Sequence, residues 1–312
     1  MLSLHRMILE TIAYYDVFDY PLTEFEVWRL LIASDGEGER VGPVSLRNVL
    51  DSLHSSFLQK RTGRHLGFVF LRGREELISR RIRLEKRAYR GIAGAHRVAK
   101  LASFFPFVRM IGLTGSLSMK NADGKSDWDF FVVLESGHIW TGRAIMTAAL
   151  HMLGLRRHGR FVAKRACLNS WVTTSSLEIR LKDIFSSNEY LFLIPLFGRE
   201  TFNRFQLENV WMRRFRPNFH PNQSFHQFQI TDSAVSKFVR TFLERLASPF
   251  LIESNLRIIQ QRKIAANPKT KSPEGFIEAT DDRLIFLPKP RGPKVFEMFC
   301  RRMSDVESAT MQ

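Results

Sequence analysis

Cysteine is scarce in this sequence: of 312 residues only Cys167 and Cys300 carry thiols, far apart in the chain. That excludes a disulfide framework, and with no metal-type spacing it predicts no zinc site and a reducing, cytoplasmic setting. Long apolar runs are missing too. Stretches such as Tyr190–Phe197 fall well short of the roughly 20 residues that span a bilayer, so no membrane association is expected. The start, Met1-Leu-Ser-Leu-His-Arg6, runs into a polar-interrupted helix pattern rather than a secretory leader. Acidic charge is in short supply, with 31 Asp+Glu against 47 Lys+Arg and a net charge of +16. Such a surface favours polyanionic partners. The nine histidines show no ligand spacing. What remains is ordinary for a globular chain, 44% hydrophobic and 25% charged, and long enough for two domains.

Hydrophobic periodicity predicts a helix over residues 3–17 through Met7, Ile8, Ile12 and Ala13, ending near Pro21. Thr23 with Glu26 forms a capping-box pattern that opens a second helix through Trp28 and Leu31. A loop rich in glycine and charge, Asp35 to Gly42, leads to a third helix from about Ser45. Two β-like runs, Phe57–Arg61 and Gly67–Leu71, are joined by Thr62-Gly63-Arg64. Three helices and a hairpin predict a winged-helix domain over residues 1–73. Residues 74–103 read as a long basic connecting helix. On it Arg80, Arg83, Arg87, Arg90 and Arg97 share one side, with Ile78, Ile82, Tyr89 and Ile92 opposite. Residues 56–100 hold 13 Lys+Arg against three Glu, which is +10 of the total +16. They are the expected surface for RNA or DNA.

The most informative stretch is Leu113–Val133, in which Gly115-Ser116 precedes Asp127-Trp-Asp129 and an apolar run from Phe130 to Val133. Side chains alternate along a strand, so Asp127 and Asp129 project from one face while Trp128 and Phe130 project from the other. Two carboxylates so placed suit a pair of Mg²⁺ ions, hard cations that carry a nucleoside triphosphate. Gly115 lets a phosphate approach the backbone, and Ser116 adds a hydroxyl at a predicted helix N-terminus. Around them the pattern predicts strands over Val108–Leu113, Asp127–Leu134 and Phe161–Thr173. It also predicts helices over Gly115–Ala122 and Trp140–Leu153, within a domain spanning 104–200. A helical extension over 201–265 includes a helix with Val235, Phe238, Val239, Phe242 and Leu246 on one face, broken at Pro249. Residues 266–312, rich in proline and basic residues, read as a partly disordered basic tail.

The Gly-Ser motif and Asp-x-Asp strand together resemble the signature of the DNA polymerase β-like nucleotidyltransferase superfamily. Residues Tyr15–Thr23, Met119–Ala122, Trp140 with Arg143, and Cys167–Trp171 further resemble bacterial winged-helix-fronted nucleotidyltransferase-domain proteins. The resemblance implies an α+β chain: an N-terminal winged helix, a nucleotidyltransferase mixed sheet with helices, then a helical C-terminal region. It implies Asp127 and Asp129 as ligands of two Mg²⁺ ions, Gly115 and Ser116 as the triphosphate seat, and transfer of a nucleoside monophosphate to an acceptor hydroxyl. Superfamily members usually place a third carboxylate on the next strand, where this sequence offers Asn169, an amide that cannot act as a general base. Glu178 and Asp183 lie nearby in sequence. Arg143, near the start of its helix, reads as a phosphate contact or a surface salt bridge. A non-catalytic protein of this fold that binds nucleic acid, or one that docks on a partner, is the competing expectation.

Overall fold

The computed structural model describes residues 3–33, 42–221 and 226–308. All but the last residue of the predicted Asp35–Gly42 loop lies outside them. Helix α1 (Leu4–Asp16) opens on Ser3, whose hydroxyl accepts from the Arg6 amide. Strand β1 (Leu22–Thr23) leads into α2 (Glu24–Arg29) through the capping box of Thr23 and Glu26. Helix α3 (Leu46–Leu53), a short α4 (Ser56–Gln59), β2 (Thr62–His65) and β3 (Phe68–Leu71) complete this N-terminal part. Its three strands run in the order β1-β3-β2.

The predicted strand Phe57–Arg61 is therefore α4, and the predicted turn at Thr62–Arg64 is the strand itself. Ser55 caps α4 by accepting from the Leu58 amide, and Leu66 and Gly67, both at positive φ, make the hairpin turn instead.

Helix α5 (Glu76–Ala102) spans almost the whole predicted connecting helix. Gly91 and Gly94 do not interrupt it. Each sits where an added Cβ would strike a side chain, Leu117 at 2.8 Å and Trp128 at 2.6 Å respectively, so they let the helix press against the elements beneath. The buried stripe carries Leu77, Ile78, Leu84, Ala88, Ile92 and Ala95 and also Arg81, only 4% exposed. Arg81 is held by Glu26 at 2.8 Å and stacked over Tyr20. Ile82 and Tyr89, expected opposite the arginines, are exposed flanks. Arg80 leaves the expected basic face as well, donating to the Asp19 carbonyl and to Asn121. Arg83, Arg87, Arg90 and Arg97 remain exposed.

The main sheet has six strands in the order β7-β4-β5-β6-β9-β8. Strands β4 (Val108–Thr114) and β5 (Trp128–Leu134) are antiparallel, and α6 (Gly115–Ser118), shorter than predicted, lies between them in sequence. Helix α7 (Ile139–Met152) crosses to β6 (Ala166–Thr173), which runs parallel to β5 and starts later than predicted. Helix α8 (Ile184–Leu191), β7 (Ile194–Phe197) and α9 (Arg199–Glu208) follow. Phe130, Val132 and Leu134 pack toward α5 and α7 on one face of the sheet. Phe131 and Val133 pack toward α9 on the other. The alternation puts Asp127 and Asp129 in phase with Phe131, and Trp128 joins the first face, as the period of two predicts.

Helices α10 (Ala234–Ala247) and α11 (Phe250–Ala266) meet at Pro249. The apolar stripe predicted on α10 is not core: Val235, Phe238, Phe242 and Leu246 are exposed.

In the segment expected to be a partly disordered tail, residues 276–308 carry two strands and a helix. Strands β8 (Phe276–Ala279) and β9 (Arg283–Leu287) form an antiparallel pair that joins the sheet through β6. Helix α12 (Gly292–Ser308) returns to the N-terminal part, where Val295, Phe299 and Met303 complete the core built on α1. Phe299 meets the Tyr14 ring edge-on at 5.7 Å. The reading from composition fails because apolar residues spaced by a helical period are diluted among Lys, Arg and Pro. Phe299→Ala should lower stability by about 3–5 kcal/mol, as large-to-small aromatic changes in cores do, in urea unfolding. A neutral result would leave residues 292–308 outside the core.

Candidate functional site

The antiparallel register of β4 and β5 pairs Thr114 with Asp129, so Gly115 turns directly over the Asp129 side chain. Gly115 has φ 72°, and a Cβ there would lie 2.4 Å from Asp129 Oδ2. Only glycine serves this turn. On the other side of β5, the parallel register pairs Asp129 with Cys167 on β6. One carboxylate oxygen each from Asp127 and Asp129 and the Cys167 sulfur lie within 4.8 Å of one another, a group that could hold a metal ion.

Hard carboxylate oxygens suit Mg²⁺, whereas Cys167 is a soft donor. Burial, reinforced by Asp129 and Asp127, pushes the Cys167 thiol up to about 12, so it stays protonated at neutral pH. Burial, then the charges of Asp127 and Glu189, push Asp129 up to about 7. This is the signature of a like-charge pair short of positive charge. Part of that charge comes from Arg157, whose Nη1 donates to Asp127 Oδ2 at 2.6 Å. The two carboxylates fit a divalent cation.

The other predicted residues fall as follows. Ser116 follows Gly115 in α6 but does not line the cavity that contains Asp127 and Asp129, and its carbonyl accepts from the Asn121 amide. The Gly115 amide, expected to face a phosphate, donates to Glu189 Oε1 at 2.8 Å. Asn169 lines the same cavity, but it is Cys167, two residues earlier on β6, that pairs with Asp129. Glu178 pairs with Lys182, and Asp183 caps α8 by accepting from the Ser186 amide. Arg143 lines the cavity and makes no salt bridge among the described residues; its Nη1 donates to Gln260.

Sequence reasoning missed Cys167, Glu189 and Arg157. Cys167 was set aside because no second cysteine stands at ligand spacing, while its partners are reached through strand register. For Glu189 and Arg157 nothing in the neighbouring residues says which way the side chain turns.

The cavity has a volume of about 1430 Å³ and is walled by the β5–β6 strand ends, α7, α8, α11 and the β9–α12 connection. Basic side chains outnumber acidic ones along its walls. A space of this size exceeds the roughly 300–1,000 Å³ of common small-molecule sites. Among the described residues no helix is long and apolar enough to cross a membrane. Comparison with family models, with curated proteins and with solved structures finds no match for this chain.

A carboxyl raised from its usual 3.8 to about 7 in the folded state binds more protons there than in the unfolded chain between these values. The stability of the metal-free protein should therefore fall as pH rises from about 4 to about 7. Asp129→Asn should flatten that limb in thermal melts across the range. An unchanged slope would take Asp129 out of the acidic pair.

Proposed function

We propose that this chain is a Mg²⁺-dependent nucleotidyltransferase of the polymerase β-like kind, fronted by a winged helix. The observation that carries this reading is the Gly115 turn set against Asp129, with Asp127 and Asp129 on one strand face at the wall of a large basic cavity. Two Mg²⁺ ions on these carboxylates would neutralise a triphosphate and stabilise the charge of the leaving pyrophosphate. The acceptor hydroxyl oxygen bonds to the α-phosphorus, the bond from that phosphorus to the bridging oxygen breaks, and pyrophosphate leaves. Gly115 keeps the space over Asp129 clear. Arg157, already on Asp127, is placed to exchange that carboxylate for a phosphate oxygen.

The hydroxyl proton has no base waiting on β6. Cys167 is a neutral thiol and Asn169 an amide, so the proton passes to water and transfer is slow; a positioned base is typically worth ~10²–10⁴-fold. The same two residues favour a second reading, a protein of this fold that binds nucleotide or nucleic acid without turnover. Calorimetric titration with magnesium and nucleoside triphosphate should show metal-dependent binding that Asp127→Asn and Asp129→Asn abolish. Equal binding in all three proteins removes the site assignment. Magnesium-dependent labelling of a cellular extract with each radiolabelled nucleotide separates a catalyst, which marks an acceptor covalently, from a binder.

Arg83, Arg87 and Arg90 are exposed and have no ion-pair partner among the described residues, which supports α5 as a nucleic-acid backbone contact. If each meets one phosphate, reversing Arg83 and Arg87 to Glu should flatten the plot of log affinity against log salt. The expected change is about 1.8 on duplex, or about 1.4 on a single strand. Undetectable or salt-insensitive binding of the unaltered protein would return this face to solvent.

A further inference from the structure

Arg143 occupies the second turn of α7, and its surroundings do not balance its charge. The N-terminus of α7 is already served by Glu253, whose carboxylate accepts from the Trp140 and Thr141 amides at 2.9 and 2.8 Å. Arg143 Nη1 is taken by Gln260, a buried side chain fixed in turn by donating to the Trp140 carbonyl at 2.7 Å. The Phe286 ring lies 5.0 Å from the guanidinium carbon. The Arg143 Nε is buried and has no hydrogen-bond partner among the described residues. Every group holding Arg143 is therefore neutral.

Burial pushes Arg143 down to about 10, and the charge of Arg156 pushes the same way, so the guanidinium is still charged at neutral pH. Arg156 lines the same cavity, and among the described residues it forms no ion pair either. A half-buried cation held by an amide and a ring, beside a second cation, is costly without a counter-charge. Among the described residues none pairs with it, and the cavity is the open side.

We propose that Arg143 and Arg156 form an anion site, separate from the Asp127 and Asp129 carboxylates, that takes a phosphate group. A guanidinium fork matches phosphate oxygens in pairs, and Gln260 with Phe286 fixes this one before the ligand arrives. Lys263, Lys289 and Arg291 line the same cavity, which suits a ligand with several phosphates better than a single carboxylate. The inference deepens the nucleotidyltransferase reading by naming where a phosphate chain is gripped, and it does not require metal.

Calorimetric titration of the full chain with inorganic tripolyphosphate, in EDTA, tests it. The unaltered protein and Asp127→Asn should both bind. Arg143→Met should bind at least tenfold more weakly, while Arg245→Met, which removes the same charge from an exposed position on α10 outside the cavity, should match the unaltered protein. Arg156→Gln, a change at a less buried side chain, should also weaken binding and keeps the test alive if Arg143→Met fails to fold. Equal affinity in the unaltered protein, Arg143→Met and Arg156→Gln, or no binding by the unaltered protein, overturns the site. Should tripolyphosphate bind through Arg143 while magnesium and triphosphate give no Asp127-dependent binding, the anion site stands and the nucleotidyltransferase reading falls.

Discussion

The pairing of Thr114 with Asp129 is the constraint on which the cavity depends. It sets the height at which β4 ends, and hence where the chain must turn at positive φ over a carboxylate. From that turn the Gly115 amide reaches Glu189 on α8, which fixes α8 against the strand ends. The parallel neighbour β6 is keyed to the same residue through Cys167. A shift of one residue between β4 and β5 would turn Asp127 and Asp129 to the face covered by α5 and α7.

The electrostatics follow from this geometry. Three acids, Asp127, Asp129 and Glu189, are concentrated at one spot of a strongly basic protein, and burial raises both Asp129 and Glu189. Arg157 partly answers them, whereas among the described residues no carboxylate pairs with Arg143 or Arg156. Acid excess at one place and base excess at another, within one cavity, is the charge pattern that a metal-bound polyanion would complete.

Much of this was legible in the sequence, and the limits have physical causes. The capping box of Thr23, the face-sharing of Asp127 and Asp129, the helix through α5 and the break at Pro249 all depend on short-range geometry, which local sequence encodes. The position of Cys167 beside Asp129 depends on the register between β5 and β6, which one strand's residues do not reveal. Phe57–Arg61 has strand-like composition, but Ser55 caps a helical turn there and overrides it. The stripe on α10 shows a helical period without saying that anything covers it. For residues 276–308 composition is a poor guide because long-range packing orders them.

That packing has a consequence for how the chain acquires its shape. Tyr14 belongs to α1, yet Phe299, which completes its surroundings, leaves the ribosome some 285 residues later, about 14–57 s at ~5–20 residues per second. Through that interval the face of α1 destined for α12 stays open. Contacts so distant in sequence slow folding, since loop closure must be paid before they form. The part built on α1, for all its own helices and strands, is thus finished only once α12 has been made.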